Sequence, residues 1–368
     1  MRIFHISSAD SFVELDMLPA VLPPAGFLWV GCARQVFESS VAELQSALQR
    51  WTGGQLVDLH VSDLLNVQLP SHFDDTSWYD VLVFRRLAAA VGSERLFADE
   101  AHGALTSARK ALESIDTSAV GFAVFDRVLL TVHPPDCAVR DFYAQRLQAL
   151  AAGHDQRGTA RLPAGPADLM LRMVNHMVDG YLDLRRLLTR HLDTLQSELL
   201  DSKGRFHDWR VLLEARNTLH LLDDLCEDQR SAVQEWIDAL DEWPLEDEES
   251  KRRERELLRV RSRDVLEHVE RVLTHVRRLE QSAETAVQMH FSALGHRTND
   301  IMRTLTVLTA VFLPLNLITG FFGMNFDALP LIHSATGIWV AVALMAAVFI
   351  SLFAFFWRKR YLGTLPRR

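Results

Sequence analysis

Two long runs of uncharged, mostly apolar residues lie close to the end of this chain. The first extends from Thr304 to Phe322 and the second from Gly337 to Trp357. An α-helix rises about 1.5 Å per residue, so a helix over either run reaches about 30 Å, the thickness of the hydrocarbon core of a bilayer. A buried core helix needs only about 10–14 apolar residues, and two longer runs are difficult to bury in one small domain. The pattern therefore predicts two transmembrane helices, over residues 304–322 and 337–357.

Basic residues lie next to the outer ends of this pair of spans and are missing between them. Arg297 and Arg303 precede the first span, whereas the loop of residues 323–336 contains neither lysine nor arginine. The basic residues after the second span are Arg358, Lys359, Arg360, Arg367 and Arg368. Segments rich in lysine and arginine stay on the cytoplasmic side of a membrane. We therefore expect an inner-membrane, multi-pass protein with both termini in the cytoplasm, an external loop over 323–336 and a basic tail over 358–368.

Residues 1–150 combine short apolar segments with turn-forming residues, which is typical of a domain with strands and helices. The segments with the valine-, leucine- and phenylalanine-rich composition of strands are Gly26 to Cys32, Gln55 to Val61, Tyr79 to Val91 and Val120 to His133. Between the first two, Glu38 to Trp51 has apolar residues at helical spacing. The pattern predicts a cytoplasmic α/β domain over residues 1–150.

After this domain the strand pattern ends, and amphipathic helices are predicted over residues 169–200 and 209–236. Another helix is predicted from about Ser250 directly into the first span, because neither proline nor glycine interrupts the chain until Gly295. Its apolar residues recur mostly at steps of three and four: Leu266, Val269, Leu273, Val276, Ala283, Val287 and Leu294. A helix that packs along other subunits and one that packs within its own subunit both have this spacing. Residues 165–303 are thus predicted to form a helical stalk, and the whole chain an α+β membrane protein.

The same spacing continues into the first predicted span, where one side of the helix becomes polar. This side contains Asn299, Met302, Thr306, Thr309, Leu313, Asn316 and Gly320, with Leu305 at its border. Asparagine, threonine and glycine have no reason to face lipid, whereas a water-filled path through the membrane favours them. Small and hydroxyl-bearing residues also mediate close packing between transmembrane helices. The stripe therefore indicates either a pore lining or a helix–helix contact.

A Gly-Met-Asn tripeptide, Gly323, Met324 and Asn325, follows the first predicted span directly. Glycine permits backbone conformations in which carbonyl oxygens point inward, and the asparagine amide provides an uncharged oxygen acceptor. Mg²⁺ holds its first-shell water tightly, so a ring of neutral oxygens that binds the hydrated ion suits this cation. We expect Asp327, in the external loop, to attract cations to the mouth of such a ring.

Composition and motifs argue against several other functions. The formal net charge of −9, from 39 basic and 48 acidic residues, is opposite to that of a typical nucleic-acid-binding protein. The three cysteines form no CxxC pair, and the sequence contains no GxxxxGK[ST] loop, no HExxH motif and no GxSxG motif. We therefore expect no enzyme activity, and an ion that crosses this protein would move down its electrochemical gradient.

The position of the tripeptide makes the chain similar to the CorA-type superfamily of divalent-cation transporters. The mark of this family is Gly-Met-Asn at the end of the first of two C-terminal spans. The segment RTNDIMRTLTVLTAVFLPLNLITGFFGMNF, from Arg297 to Phe326, resembles the family's pore helix throughout. Arg263 to His268 resembles its stalk, Gly165 to Tyr181 resembles the start of its helical region, and Asp63 to Leu87 resembles its N-terminal domain more loosely.

The resemblance implies a funnel-shaped homopentamer in a lipid bilayer, with five copies of the first span around one pore. It implies that Gly323, Met324 and Asn325 belong to the selectivity filter. It also implies that Asp264, with Asp63 as its partner, binds regulatory Mg²⁺ between cytoplasmic domains; no other cofactor is expected. The expected cargo is Mg²⁺, with Co²⁺ and Ni²⁺ as further candidates.

The external loop departs from the pattern of magnesium-transporting members, which usually carry more acidic residues there. Asp327 is the loop's only carboxylate, and Leu331 follows Pro330 where an acidic residue is common. Two alternatives stay open: a proton-coupled Zn²⁺ transporter of the same superfamily, and a membrane-anchored coiled-coil sensor or scaffold without a pore. The histidines do not decide for zinc, because no residues near His268 and His275 complete a four-ligand site.

Overall fold

The structure is a computed structural model that describes residues 1–7, 11–89, 115–152, 161–200, 210–243, 249–324 and 336–359. The chain divides into two compact units, Met1–Ala286 and Val287–Arg368. The first unit contains a sheet with helices on both faces, followed by long helices. The second contains the end of one long helix and a terminal apolar helix.

A seven-stranded sheet forms the centre of the N-terminal part of the first unit. Its strands are β1 (Arg2–Ser7), β2 (Ser11–Leu15), β3 (Phe27–Ala33), β4 (His72–Asp75), β5 (Asp80–Arg85), β8 (Ala119–Val124) and β9 (Val128–His133), in the order β2-β1-β3-β9-β8-β5-β4. A two-stranded sheet pairs β6 (Ala88–Ala89) with β7 (Ile115–Asp116). β3 and β9 run parallel, and the other neighbours in the large sheet run antiparallel. The predicted combination of strands and helices is confirmed, and the sheet is largely antiparallel.

Helices cover both faces of the large sheet because its central strands are apolar on both sides. One face carries α1 (Arg34–Thr52) and α2 (Asp58–Leu65), and the other carries α3 (Ala138–Ala151) and α4 (Pro166–Asp179). Every residue of β8 and β9 is buried, as expected for strands between two layers of helices. Phe37 of α1 shares one core with Leu28 of β3, and Val139 of α3 shares the opposite core with Trp29.

The remaining helices of the described chain are α5 (Tyr181–Leu200), α6 (Arg210–Glu242), α7 (Glu249–Phe322) and α8 (Gly337–Arg358). The long helix predicted from about Ser250 into the first span is confirmed, since α7 is continuous over 74 residues. Within the first unit, four residues of its predicted apolar stripe are buried in one core with α4, α5 and α6, namely Val269, Leu273, Val276 and Ala283, and Leu266 packs against this core half-buried. This part of the stripe therefore packs within its own subunit.

The predicted strand over Gln55 to Val61 is wrong, because this segment leads into helix α2. His60 and Leu64 are buried four residues apart on one side of α2. Asp58 lies in its first turn, where a carboxylate interacts favourably with the helix dipole. A short apolar segment can have the same composition in a strand and in a helix that is buried on one side. An assignment from composition alone was therefore wrong here.

The single helix predicted over residues 169–200 is two helices in the structure. α4 ends at Asp179 and α5 begins at Tyr181, with Gly180 between them. A Cβ atom on Gly180 would lie 3.2 Å from the Cβ of Ala88 and 3.2 Å from the carbonyl oxygen of Met177. Close approach to β6 therefore favours glycine at this break.

Asp80, the first residue of β5, lies in a cluster of like charges. It pairs across the strands with Asp75 of β4, and Asp126 lies in the turn between β8 and β9. Burial, with the charges of Asp75 and Asp126, raises the pKa of Asp80 to about 7. An unfolded aspartate titrates near pH ~4, so the folded protein holds this proton more tightly. The free energy of unfolding of the protein therefore falls as the pH rises from about 4 through 7.

We expect Asp80→Asn to remove this pH dependence, because an amide does not ionise. Above pH ~7 the variant should be more stable than the wild type by about 2–4 kcal/mol, and near pH ~4 the difference should vanish. Urea unfolding across this pH range measures the effect. Asp16→Asn, at an exposed aspartate, is the control. A stability difference that stays constant with pH would contradict the assignment.

Candidate ion pathway and metal sites

The two apolar segments near the end of the chain form helices of membrane-spanning length. Within the described residues, two helices are long and apolar enough to cross a membrane: Lys251–Phe322, which is nearly all of α7, and Gly337–Arg358, which is α8. The apolar part of α7 contains Pro314. Proline has no N–H group, so the carbonyl oxygen of Ala310, one turn earlier, lacks its usual helical donor and remains an acceptor.

Threonine hydroxyls in the apolar part of α7 donate their protons back to the helix. The Oγ1 atoms of Thr304, Thr306 and Thr309 each donate to the carbonyl oxygen four residues earlier, at 2.8–2.9 Å. In a membrane this bond satisfies the hydroxyl proton without a partner from another helix. The lone pairs of Thr306 and Thr309 therefore remain available as acceptors on the side predicted to line a pore.

The apolar part of α7 has a covered side and an exposed side. Val307 and Val311 are buried, and the half-buried positions are Arg303, Ala310, Pro314, Leu315, Ile318 and Phe322. The residues predicted to line a pore are all exposed: Asn299, Met302, Leu305, Thr306, Thr309, Leu313, Asn316 and Gly320. A helix advances about 100° per residue, so the two sets lie on opposite sides of α7. The polar stripe is therefore not the surface through which α7 packs in its own chain.

The helix ends where the tripeptide begins. The Gly323 N–H donates to the carbonyl oxygen of Thr319 at 2.9 Å, and the Met324 N–H donates to that of Phe321 at 3.4 Å. A Cβ atom on Gly323 would lie 3.0 Å from the Thr319 oxygen, so a larger residue would require an adjustment of the helix end. Asn325 and Asp327, the other predicted residues of the filter and its mouth, lie outside the described residues.

The two predicted regulatory carboxylates lie in the first unit. Asp264 is exposed on α7 and lies 3.8 Å from the Nε2 atom of His268. Asp63 lies on α2, with its Oδ2 atom 4.0 Å from the Nε2 atom of His72. Within the described residues, no group of three or more histidine, cysteine, aspartate or glutamate side chains could hold a metal ion. Neither carboxylate thus belongs to a metal-ligand set in the part of the chain that the structure describes.

His275, for which the sequence offered no complete zinc site, faces the interior of the helical region. Its Nδ1 atom lies 2.6 Å from the hydroxyl of Tyr181, and its Nε2 atom lies 3.4 Å from that of Thr189. Burial, with the charges of Arg185 and Arg278, lowers the pKa of His275 to about 4. These contacts explain His275 as a neutral packing residue between α5 and α7.

Asp168 is a residue whose importance the sequence pattern did not reveal. It lies in the first turn of α4 and is 4% exposed. Its carboxylate accepts from the Ala164 N–H at 3.0 Å and from Arg172 at 3.0 Å, and it forms an ion pair with Arg261 of α7. The spacing of Asp168 and Arg172, four residues apart in one helix, indicates an ion pair from the sequence alone. The pairing of Asp168 with Arg261 depends on the fold. Asp168 thereby joins α4 to the long helix.

The sequence of this chain matches the model of a known protein family. Residues 96–360, well over half of the chain, match the model described as CorA-like Mg²⁺ transporter protein. The chain belongs to the CorA-like Mg²⁺ transporter family. Members of the CorA-like family are membrane proteins, in agreement with the two apolar helices near the C-terminus of this chain.

Curated CorA proteins are similar to this chain. The cobalt/magnesium transport protein CorA of Thermotoga maritima is 24% identical over 200 residues, which are 53% of this chain and 52% of that protein. The protein of the same name from Methanocaldococcus jannaschii is 23% identical over 251 residues, which are 67% of this chain and 72% of that protein. The chain thus matches about half the length of the Thermotoga relative.

A solved CorA structure has the same fold. The complete structure of the CorA magnesium transporter from Methanocaldococcus jannaschii superposes with a TM-score of 0.71 at 17% identity, over 97% of this chain and 98% of that one. The predicted fold, an N-terminal α/β domain followed by a long helix and a terminal apolar helix, is thereby confirmed.

Proposed function

We propose that this protein is a homopentameric, channel-like transporter that admits hydrated divalent cations, above all Mg²⁺, into the cytoplasm. The observation that carries the proposal is the exposed polar stripe of α7, which lies opposite the side that packs in its own chain. Copies of this helix arranged around an axis would turn the stripe toward a shared aqueous path. The names of the curated relatives, which specify magnesium and cobalt transport, support the choice of cargo.

The chemistry of the stripe suits an ion that keeps its water. The water molecules around Mg²⁺ point their protons outward, so the pore must offer acceptors. Thr306 and Thr309 have used their own protons within the helix, and Asn316 adds an amide oxygen. Leu313 and Met302 form apolar rings between the polar ones, where a narrow path can lose its water and close.

The direction of transport follows from the membrane potential. Moving one elementary charge across 100 mV is worth about 2.3 kcal/mol, hence about twice that for a divalent ion. An inside-negative potential therefore drives uptake without a chemical fuel, consistent with a transporter rather than an enzyme. In this proposal both termini lie in the cytoplasm of an inner-membrane protein, and Gly323, Met324 and Asn325 form the filter at the external mouth, near Asp327.

Asp264 and Asp63 are proposed to bind regulatory Mg²⁺ between subunits. Asp264 is exposed, and among the residues that the structure describes neither carboxylate belongs to a metal-ligand set. A cation held between two carboxylates of neighbouring subunits would offset their repulsion and favour the closed assembly. Internal Mg²⁺ should then reduce ion flux, which titration of the ion inside vesicles measures.

Reconstitution of the purified protein into proteoliposomes tests the proposed function. Uptake of Mg²⁺, Co²⁺, Ni²⁺ and Zn²⁺ is measured at a fixed inside-negative potential, with and without a pH gradient. We expect Mg²⁺ uptake that follows the potential and does not require the pH gradient. Zn²⁺ uptake that stops when the pH gradient is removed would favour a proton-coupled zinc transporter instead, and the absence of flux for every ion would favour a scaffold.

Substitution of Asn325 by alanine is expected to reduce Mg²⁺ flux to near background while the oligomeric state is retained. The matched control is His333→Ala, in the same loop but outside the tripeptide. Equal flux in the wild type and the Asn325→Ala variant would contradict the role of the tripeptide.

A further inference from the structure

A groove lies between α5 and α7 in the first unit of the protein. It has a volume of about 490 Å³, is open to solvent, and is lined by side chains of both helices. Pockets that bind small molecules usually have volumes of about 300–1,000 Å³. The groove therefore has the room and the entrance that a small ligand needs.

Two arginines from different helices converge on this groove. Tyr181, Arg185 and Thr189 follow each other at steps of four residues, so they lie on one side of α5. The first and the last of them contact His275 of α7, which places Arg185 at the level of this histidine. Arg278 lies one turn after His275 and lines the same groove. Burial, and then the charges of both guanidinium groups, lower the pKa of His275, so both groups lie near its ring.

The guanidinium groups of Arg185 and Arg278 are available to a ligand. Both side chains are exposed, and neither forms an ion pair or a hydrogen bond with a residue that the structure describes. A guanidinium group presents five N–H donors in a planar fork, which matches the oxygens of a phosphate group. The groove therefore offers unpaired positive charge to an anion.

The groove also contains two carboxylates, of which one is unpaired. Glu267 forms an ion pair with Arg271 at 3.7 Å. The carboxylate of Glu270 has no such partner in the described part of the chain. Glu270, Thr274 and Arg278 lie on one side of α7, at steps of four residues. Because Glu270 repels a bare anion and attracts a cation, the groove suits an anion that carries a cation with it.

A divalent cation would need more ligands than this chain supplies at the groove. Among the described residues, no group of three or more histidine, cysteine, aspartate or glutamate side chains could hold a metal ion. Mg²⁺ is often held by one or two carboxylates together with the phosphate oxygens of a substrate, and it keeps several of its water molecules. Glu270 can supply the carboxylate, and a phosphate chain can supply the other oxygens.

We propose that the groove binds a polyphosphate chain together with its chelated divalent cation, as in a nucleoside triphosphate or an inorganic polyphosphate. The phosphate oxygens accept hydrogen bonds from Arg185 and Arg278, and the cation faces Glu270. The Thr274 hydroxyl donates to the carbonyl oxygen of Glu270 at 2.8 Å, so its own oxygen remains an acceptor for water on the cation. A ligand held in this way bridges α5 and α7.

Isothermal titration of the full-length protein with inorganic tripolyphosphate tests the proposal. One series contains excess Mg²⁺ in both solutions, and the other contains EDTA instead. We expect binding about tenfold or more tighter in Mg²⁺, because the cation offsets the repulsion between the phosphate chain and Glu270. ATP should compete for the groove. Tighter binding of ATP would identify a nucleotide as the ligand, and tighter binding of tripolyphosphate would identify an inorganic polyphosphate.

Arg185→Gln and Arg278→Gln should each weaken binding of the Mg²⁺ complex by about tenfold or more, because each removes charge-assisted hydrogen bonds. The matched control is Arg186→Gln. Arg186 is exposed on the same helix, lies 3.8 Å from Asp183 and is outside the groove. The control should bind tripolyphosphate like the wild type, and the melting temperature of each variant verifies that it is folded.

Glu270→Gln tests the place of the cation, because glutamine keeps the size of the side chain and removes its charge. We expect weaker binding in Mg²⁺ and tighter binding in EDTA, since the same carboxylate attracts the cation and repels the bare anion. No binding to the wild type, an affinity that does not depend on Mg²⁺, or equal losses in Arg185→Gln and Arg186→Gln would overturn the proposal.

Discussion

Replacement of Asp168 by alanine is expected to lower the free energy of unfolding by about 3–5 kcal/mol, as for other buried ion pairs that lose one partner. Its carboxylate is almost fully buried, accepts from the Ala164 N–H, and balances the charges of Arg172 and Arg261. Burial lowers the pKa of both arginines, because desolvation disfavours their charged forms. The alanine variant leaves two partly buried charges without compensation and loosens α4 from α7.

Urea unfolding of the purified protein, followed by tryptophan fluorescence, measures this effect. The matched control is Asp183→Ala in α5, whose carboxylate lies 3.8 Å from Arg186 with both side chains more than 75% exposed. Exposed pairs contribute less than about 1 kcal/mol, so the control should unfold like the wild type. An Asp168→Ala variant as stable as this control would show that the contact between α4 and α7 does not rest on the carboxylate.

Substitution of Asn316 by leucine is expected to reduce Mg²⁺ flux by about tenfold or more, because an apolar ring replaces a ring of amide oxygens and a narrow apolar path loses its water. Asn316 is exposed on the polar stripe, so leucine does not disturb packing within the chain. Flux into proteoliposomes measures the change, and the oligomeric state in detergent verifies that the assembly persists.

Thr319→Leu is the control for this prediction. Thr319 is also exposed in the apolar part of α7, but it lies about 100° away from the centre of the polar stripe. Leucine at this position adds the same apolar surface outside the proposed path, so Mg²⁺ flux should be nearly unchanged. A larger loss of flux in Thr319→Leu than in Asn316→Leu would place the path on a different side of the helix.

The long helices could be predicted because their signal is repeated many times along the chain. The continuous α7 follows from the absence of proline and glycine over a long segment and from apolar residues at steps of three and four. Short elements carry too few repeats for this reasoning. The strands β1 and β2 and the helix α3 were missed, and α2 was assigned to a strand, because each contains only a few side chains whose burial depends on the rest of the fold.

The candidate ion pathway could likewise be predicted only in part from the sequence. The spacing from Asn299 to Gly320 was sufficient to put polar residues on one side of a helix, since helical geometry relates residue number to direction. Spacing could not distinguish a pore lining from a packing surface. Only the structure showed that Val307 and Val311, on the other side, are the positions covered within the chain.

The sequence by itself determined the two apolar spans, the polar stripe and the Gly-Met-Asn tripeptide, because length, period and order are properties of neighbouring residues. The tertiary structure decided which residues far apart in the chain meet. It brought Arg261 to Asp168, and it placed Tyr181 beside His275. These contacts join helices that are far apart in the chain, and no local pattern encodes them.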